Sequence, residues 1–510
     1  MTAQKELKGS NKKTGGFLGW VERVGNKIPH PFILFLILIV VVWIASAICS
    51  QLGTSVTNPV DGKEVYVKSL LSGEGIVYML KNMVKNFTGF APLGLVLTMT
   101  LGIGFAEHIG LISAFMRKTM LGASPKLVTF IIMIIGIVGN IASDAAIVIV
   151  PSIAAAIFAS MGRHPLAGIA IGYASTTAGF SANLIIAGTD ALLAGISTEA
   201  IHIVDKNLSV TPVDNWFFMF ASTFVLAIVG VIITEKIIEP RLGEYKGKKS
   251  IEAKKVTQEE NKALKKTGIA ALIYIAVLAI SIIPKNSFFR NSETGGIVPS
   301  PFLDSIIPLL LFLFVIMAYV YGKSIGELKK FSDVPKHMAI AIKDMASYIV
   351  LVFVIGQFIA FFNWSNLGYA IAVNGADALK ASNMTGVPLF ILFILFVAFV
   401  NLFMGSGSAK WSLLAPIFIP MFYLLGYNPA FTQLLYRIGD STTNIISPLF
   451  PYFPIILAFA NEYDEKAGVG TILSLMIPYS IIMLVVWIIF AIIWTQLGLP
   501  IGPGIGGIGL

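Results

Sequence analysis

The sequence predicts an all-α polytopic membrane protein, with about nine transmembrane helices and two opposed re-entrant hairpins in the inverted-repeat arrangement of a secondary transporter. Three observations lead there. Of 510 residues, 56% are hydrophobic and only 12% charged, where a soluble chain carries about 25% charged residues. Apolar runs of the roughly 20 residues needed to cross a bilayer recur along the whole length. Two pairs of shorter apolar arms meet at polar tips, and each pair precedes a segment with the same polar signature.

The net charge of +9 says little about nucleic acid. Its basic residues gather between apolar runs, which is the positive-inside pattern. The lone Cys49 excludes an internal disulfide framework and a multi-cysteine metal cluster. None of the five histidines takes a metal-ligand spacing. HExxH, GxSxG and Walker patterns do not occur in the sequence, so neither an intramembrane hydrolase nor an ATP-driven pump finds support.

The arm 1–30 has six basic residues against two acidic ones and is expected to be cytoplasmic. The apolar run from Pro31 lacks a cleavage pattern, so 31–51 reads as an uncleaved first span. A second span, about 90–115, returns to Arg117, Lys118 and Lys126 inside, and 31–122 is assigned to a scaffold of N-terminal spans. Segment 198–215 holds Glu199, Asp205 and Asp214 against one lysine and suits the outside, with a span following to 238. The insertion 236–266 has ten Lys/Arg against five Asp/Glu, which makes 239–266 a cytoplasmic loop. Scaffold spans of the second half fill 267–362, around an inside loop 323–343 with five lysines, and a last span and tail take 472–510.

These assignments put Lys126 and Arg163 on the same side. The two arms between them, about 16 residues each, cover only ~24 Å at roughly 1.5 Å per residue. Segment 127–160 therefore reads as a re-entrant hairpin with "GNIASD", Gly139 to Asp144, at its tip. Segment 388–425, with arms meeting at "MGSGSAKW", Met404 to Trp411, reads as a second hairpin entering from the opposite face.

Each hairpin is followed by a similar span. In "YASTTAGFSANLIIAGTD" and "RIGDSTTNIISPLF", Ser175-Thr176-Thr177 aligns with Ser441-Thr442-Thr443, and a serine follows four residues later, Ser181 and Ser447. Ser143 precedes Pro151 by eight residues, as Ser408 precedes Pro416. From tip serine to S-T-T is 32 residues in one copy and 33 in the other. Segments 123–197 and 388–455 thus read as two copies of one unit, each a hairpin and a broken helix. Broken backbone at membrane depth is tolerated only where protein or a water-filled cavity satisfies it. The breaks predict a cavity, and the cavity predicts a solute.

Ionisable groups inside a membrane are expensive and usually functional. Arg437 and Asp440, three residues apart, either neutralise each other or serve a substrate carboxylate and a coupling cation or proton. Asp190, with no basic neighbour in sequence, is either a proton or cation carrier or a residue near the outer interface. Asp144 and Lys410, at the hairpin tips, are ligands or simply solvated. Gly405 and Gly407 permit close backbone approach to an ion, or only a tight turn. Asn140, Asn183, Asn401 and Asn444 offer oxygens suited to Na⁺, or bond neighbouring helices. The hydroxyls of Ser441 and Thr442 would line the cavity, with Ser143, Ser175 and Ser408 as further candidates. Trp411 stacks an aromatic substrate or fills the core, and Pro429 and Pro448 bracket the broken helix. Glu107 and His108, close to the inner face, are given no role.

With these residues in hand, the chain closely resembles the AbgT family of p-aminobenzoyl-glutamate transporters. The resemblance runs nearly end to end, from "GWVERVGNKIPHPF" through "GRHPLAG", "DNWFFM", "EPRLG" and "FNWSNLG" to "SGSAKWSLLAPIF" and "LPIGPG". It implies a homodimer of the bacterial cytoplasmic membrane, with nine spans and two opposed hairpins per protomer. It implies import of p-aminobenzoyl-glutamate, a folate breakdown product, or efflux of sulfonamides and p-aminobenzoate. The family's functional residues fall on Asp190, Asn401, Ser408, Trp411, Pro429, Arg437, Asp440 and Pro448, and no family role falls on Lys410. The expected protein is no enzyme and needs no cofactor beyond a coupling H⁺ or Na⁺, the latter near Asn401, Gly405 and Asp440. Its partners would be the substrate, lipid and a second copy, with no nucleic acid. A benzoyl ring suits Trp411, and a glutamate carboxylate suits the planar fork of Arg437. An ion channel would share the broken midplane, but the duplicated hairpins supply a gate on each face.

Overall fold

A computed structural model of the chain describes residues 20, 24, 27–57, 62–142, 145–245, 255–447 and 449–509. Helix α1 (Pro31–Gln51) opens on a proline, whose missing N–H costs nothing in a first turn, and His30 Nδ1 accepts from Phe32 N. A short antiparallel ribbon, β1 (Ser55–Thr57) with β2 (Glu64–Tyr66), leads to α2 (Gly73–Thr88). Helix α3 (Ala91–His108) continues it after a kink at Gly89 and Phe90, and α4 (Leu111–Leu121) turns off at Gly110, φ 83°. Next come hairpin 1, α5 (Val128–Gly139) and α6 (Ala145–Ser160), and broken helix 1, α7 (Pro165–Thr177) and α8 (Gly188–Ile201). Helix α9 (Trp216–Ile233) runs on to Leu242 through a π turn, and α10 (Gln258–Ile282) starts from a Thr257–Glu260 capping box.

The second half follows the same order. It comprises α11 (Ile306–Ser324), α12 (Val334–Asp344), α13 (Ala346–Trp364) and α14 (Leu367–Ala381). Then come hairpin 2, α15 (Val387–Asn401) and α16 (Gly407–Leu424), and broken helix 2, α17 (Pro429–Thr442) and α18 (Phe453–Tyr463). Helix α19 (Val469–Gln496) is last. Among the described residues, seven continuous helices are long and apolar enough to cross a membrane: α1, α2–α3, α9, α10, α11, α13 and α19. With the two broken helices they make nine crossings among the described residues, so this is a multi-pass membrane protein.

Hydrogen bonds fix the hairpins independently of charge counting. Arg163, just beyond hairpin 1, donates to Thr129 Oγ1 at its start (2.9 Å) and forks onto Glu239 at 2.7 and 2.9 Å. Both ends of hairpin 1 therefore emerge at the C-terminal end of the α9 helix. At hairpin 2, Tyr427 OH accepts from Gly386 N at 2.8 Å, closing its two ends, and Tyr423 OH donates to Asp205 at 3.0 Å. Asp205 precedes the N-terminal end of α9, so the hairpins enter from opposite faces.

The repeats interlock. Helix α2 packs on α13 and α12 on α3, while α1 packs on α13 and α11 on α3. The connector α10 lies against α11, with Leu272, Ile273 and Ile280 directed outward. Small residues let the broken helices seat against the hairpins. A Cβ on Gly172 would sit within 2.8 Å of the Pro151 backbone nitrogen, and one on Gly439 within 2.6 Å of Ile394 O.

Three segments differ from expectation. The second crossing begins at Gly73, not near 90, and ends at His108. The loop 323–343 contains most of α12, and α14 intervenes between the span at 346–362 and hairpin 2. The helices behind these differences, α2, α12 and α14, run for 11–16 residues with mixed polar and apolar positions, so none shows in the sequence as an uninterrupted apolar run.

Candidate functional site

The two broken helices cross at their breaks. Helix α7 ends at Thr177, the chain is irregular to Ala187, and α8 restarts at Gly188; α17 ends at Thr442, and α18 restarts at Phe453. At the crossing, Arg437 Nη1 meets Asp190 Oδ1 at 2.6 Å, and its Nη2 donates to Ser181 O at 2.6 Å. Asp190 Oδ2 accepts from Asn183 Nδ2 and from Ala187 N, both at 2.6 Å, which closes the first turn of α8. Ser181 N donates to Ser441 Oγ at 3.2 Å, and Asn444 Nδ2 reaches Thr177 O at 3.5 Å.

A second ion pair lies beside it. Lys410 Nζ meets Asp440 Oδ1 at 2.6 Å and donates to Asn401 Oδ1. Asn401 Nδ2 in turn donates to Asp440 O (2.7 Å), Thr443 Oγ1 and Asn444 Oδ1 (both 2.9 Å). Tyr436 OH lies 2.6 Å from Gly407 O and 3.1 Å from Asp440 Oδ1. Trp411 stacks on Tyr436, centroids 4.3 Å apart, and its indole N–H donates to Ser197 Oγ at 3.0 Å. From there Ser197, Gln433 and Asn215 pass hydrogen bonds on to Ala430 O.

Between these clusters and hairpin 1 is a cavity of about 400 Å³. Its polar lining includes Asn140, Ser408, Asp440 and Asn444, and its aromatic walls are Phe180, Tyr348, Phe450 and Tyr452. Gly188 and Thr189 at the start of α8, and Gly405 to Ser408 at the start of α16, also face it. Two helix N-termini therefore converge on it, the ends that attract anions. Asn140 is 5% exposed, and neither its amide N–H₂ nor its oxygen has a hydrogen-bond partner among the described residues. A second cavity of about 340 Å³ shares Thr100, Ile141, Met345 and Tyr452 with the first and reaches Glu107, His108 and Asp344.

Several expectations change. Arg437 and Asp440 do not pair with each other; each meets a charge from another segment, Asp190 and Lys410. Asp190 is neither isolated nor near a surface, being 2% exposed. Lys410 is not solvated at a tip but fully buried, and its ammonium occupies the place expected for Na⁺ between Asn401 and Asp440. Trp411 is fully buried with one face covered by Tyr436, so the cavity's aromatic surface comes from other rings. Ser175, Ser441 and Thr442 do not line the cavity. Their hydroxyls bond to Gly172 O, Arg437 O and Ile438 O, the local acceptors such side chains use where water is excluded. Pro429 is the first residue of α17, away from the break. Ser143, Asp144 and Pro448 lie outside the described residues.

Sequence reasoning missed Tyr436, Ser197 and Gln433, and it left Glu107 and His108 without a role although they line the second cavity. A lysine inside "GSAKW" was the available signal for the Asp440 pair.

A family model described as the "AbgT putative transporter family" matches residues 16–507. The p-aminobenzoyl-glutamate transport protein of Escherichia coli (strain K12) is 45% identical over 496 residues, 97% of this chain and 98% of that protein. Two solved structures superpose closely. The YdaH transporter of Alcanivorax borkumensis, described as having an unusual topology, has TM-score 0.90 at 38% identity over 93% of this chain and 100% of that one. MtrF of Neisseria gonorrhoeae, described within a class of antimetabolite efflux pumps, has TM-score 0.91 at 45% identity over 96% and 100%.

Proposed function

The chain belongs to the AbgT family of transporters, and from that premise we propose that it moves p-aminobenzoyl-glutamate across the bacterial cytoplasmic membrane, driven by a Na⁺ or H⁺ gradient. The observation that carries this reading is the cavity at the crossing of the broken helices. Its volume of about 400 Å³ falls in the range of small-molecule sites. The N-termini of α8 and α16 suit a glutamate carboxylate, and Phe180, Tyr348, Phe450 and Tyr452 suit the benzoyl ring. Asp440, on the cavity wall, is the coupling acid. Asp190 with Arg437 holds the two broken helices together. The N-terminus is cytoplasmic, the hairpin units move against a scaffold of the remaining spans, and two copies associate through that scaffold.

Uptake of labelled p-aminobenzoyl-glutamate into proteoliposomes, under imposed Na⁺ or pH gradients, tests the proposal. Saturable accumulation under one gradient is expected, and no accumulation under either would sink the import reading. Efflux is the second reading, favoured by what the gonococcal structure is described as doing. It predicts lower sulfonamide accumulation in cells expressing the protein.

Asn140→Ala separates binding from folding. Its amide faces the cavity with no partner to lose among the described residues, so the thermal midpoint should stay put. Substrate affinity should fall by about 1.5–3 kcal/mol, the worth of a hydrogen bond to a charged group, read as a raised KM for uptake.

A further inference from the structure

Lys410 is doubly misplaced by ordinary rules. It is fully buried, and it sits in the first turn of α16, the helix end where a positive charge is disfavoured. What holds it is opposite in character. Asn401 is the last residue of α15, and Asp440 lies in the last turn of α17, so two negative helix ends converge on the ammonium. The three acceptors around Asn401 Nδ2 fix the amide so that its oxygen faces Lys410. Half-helix C-terminal ends are where transporters hold a coupling ion, and in this protein a carboxylate and an amide oxygen stand at two such ends. Here a side chain of the protein occupies them.

We propose that Lys410 is a tethered counter-cation: its ammonium neutralises Asp440 in the substrate-free protein and yields that place to the coupling Na⁺ or H⁺ as a substrate carboxylate takes up the ammonium. This deepens the ion-coupled reading and rests on it. Two cations on one buried carboxylate repel each other strongly, because that repulsion is poorly screened where water is excluded. A displaced ammonium needs a new anion, and the cavity lined by Asp440 and Ser408 adjoins it. Cation binding would then create the positive charge that the anionic substrate requires, so neither binds well alone.

The surroundings of Asp440 leave Lys410 in control. Its carboxylate faces Lys410 from α16 and the Tyr436 hydroxyl from its own helix. Arg437, though close in sequence, is turned to Asp190 at 2.6 Å.

The test uses the purified full-length protein. Affinity for p-aminobenzoyl-glutamate and the substrate-free thermal midpoint are measured in a Na⁺ titration with choline as balance, and separately in a pH titration at fixed Na⁺. The arm that responds identifies the cation. In the wild type, affinity should rise with that cation by the roughly 5–150-fold of coupled sites, while the substrate-free midpoint stays nearly flat. In Lys410→Met the pattern should invert. The midpoint should rise with the cation, because bare Asp440 recruits it, and substrate affinity should be weaker and flat. Lys410→Met with Asp440→Asn should be insensitive in both measurements. The proposal is overturned if Lys410→Met follows the wild-type pattern, or if it fails to fold in every cation while the double variant folds, which would make the pair structural only. A wild type that binds no substrate under any condition sinks the transport reading instead, while the substrate-free midpoints still report on Lys410.

Discussion

Arg437→Met should abolish transport and destabilise the protein by about 3–5 kcal/mol, the cost of stripping one partner from a buried ion pair. Asp190 is 2% exposed and Arg437 1% exposed, so water cannot replace the lost guanidinium. Asp190 would keep its bonds to Asn183 and Ala187 N but lose its counter-charge, and Ser181 O would lose its donor. Asp190→Asn combined with Arg437→Met removes both charges and should recover most of that stability, since replacing a whole buried pair is often neutral. Transport should stay lost in the double variant, because the charged link between the two broken helices is gone, leaving uncharged hydrogen bonds such as Ser181–Ser441 and Asn444–Thr177. Thermal unfolding and proteoliposome uptake on the same preparations read the two effects separately. Recovery of uptake together with stability would show that the pair is dispensable for transport.

Trp411→Ala should cost about 3–5 kcal/mol, as truncation of a fully buried tryptophan does. The stack on Tyr436 at 4.3 Å disappears, and Ser197 Oγ loses the indole donor that ties hairpin 2 to α8. Because Tyr436 also bonds near Asp440 and Gly407 O, loosening it should disturb the Lys410–Asp440 pair as well. Trp411→Phe keeps an aromatic face for the stack and should retain most of the stability. If Trp411 instead served only to stack substrate, the alanine variant would keep its thermal midpoint and lose affinity alone.

The hairpins were legible because length and charge constrain them together: short arms, with Lys126 and Arg163 forced to one side. The structure reaches the same answer through Arg163, Thr129 and Glu239. Helices α2, α4, α12 and α14 were not legible, since their turns mix polar and apolar residues at interfaces that only the assembled fold defines. The site was legible as a set of residues and not as a set of pairs. A sequence displays Asp440 one helical turn from Arg437, but side-chain direction and packing against distant segments decide the partners. Hydroxyls present the same difficulty. Ser175 and Ser441 look like lining residues, yet their own helices satisfy them.

Helix α10 stands between the two halves and packs on α11. Among the described residues, four crossings precede it and four follow. That odd ninth crossing is a parity bit. With it, the second half is threaded upside down, and the two hairpins enter from opposite faces. Remove it, and identical halves would be threaded the same way up, with both hairpins dipping in from one side and the inverted relation between the repeats lost.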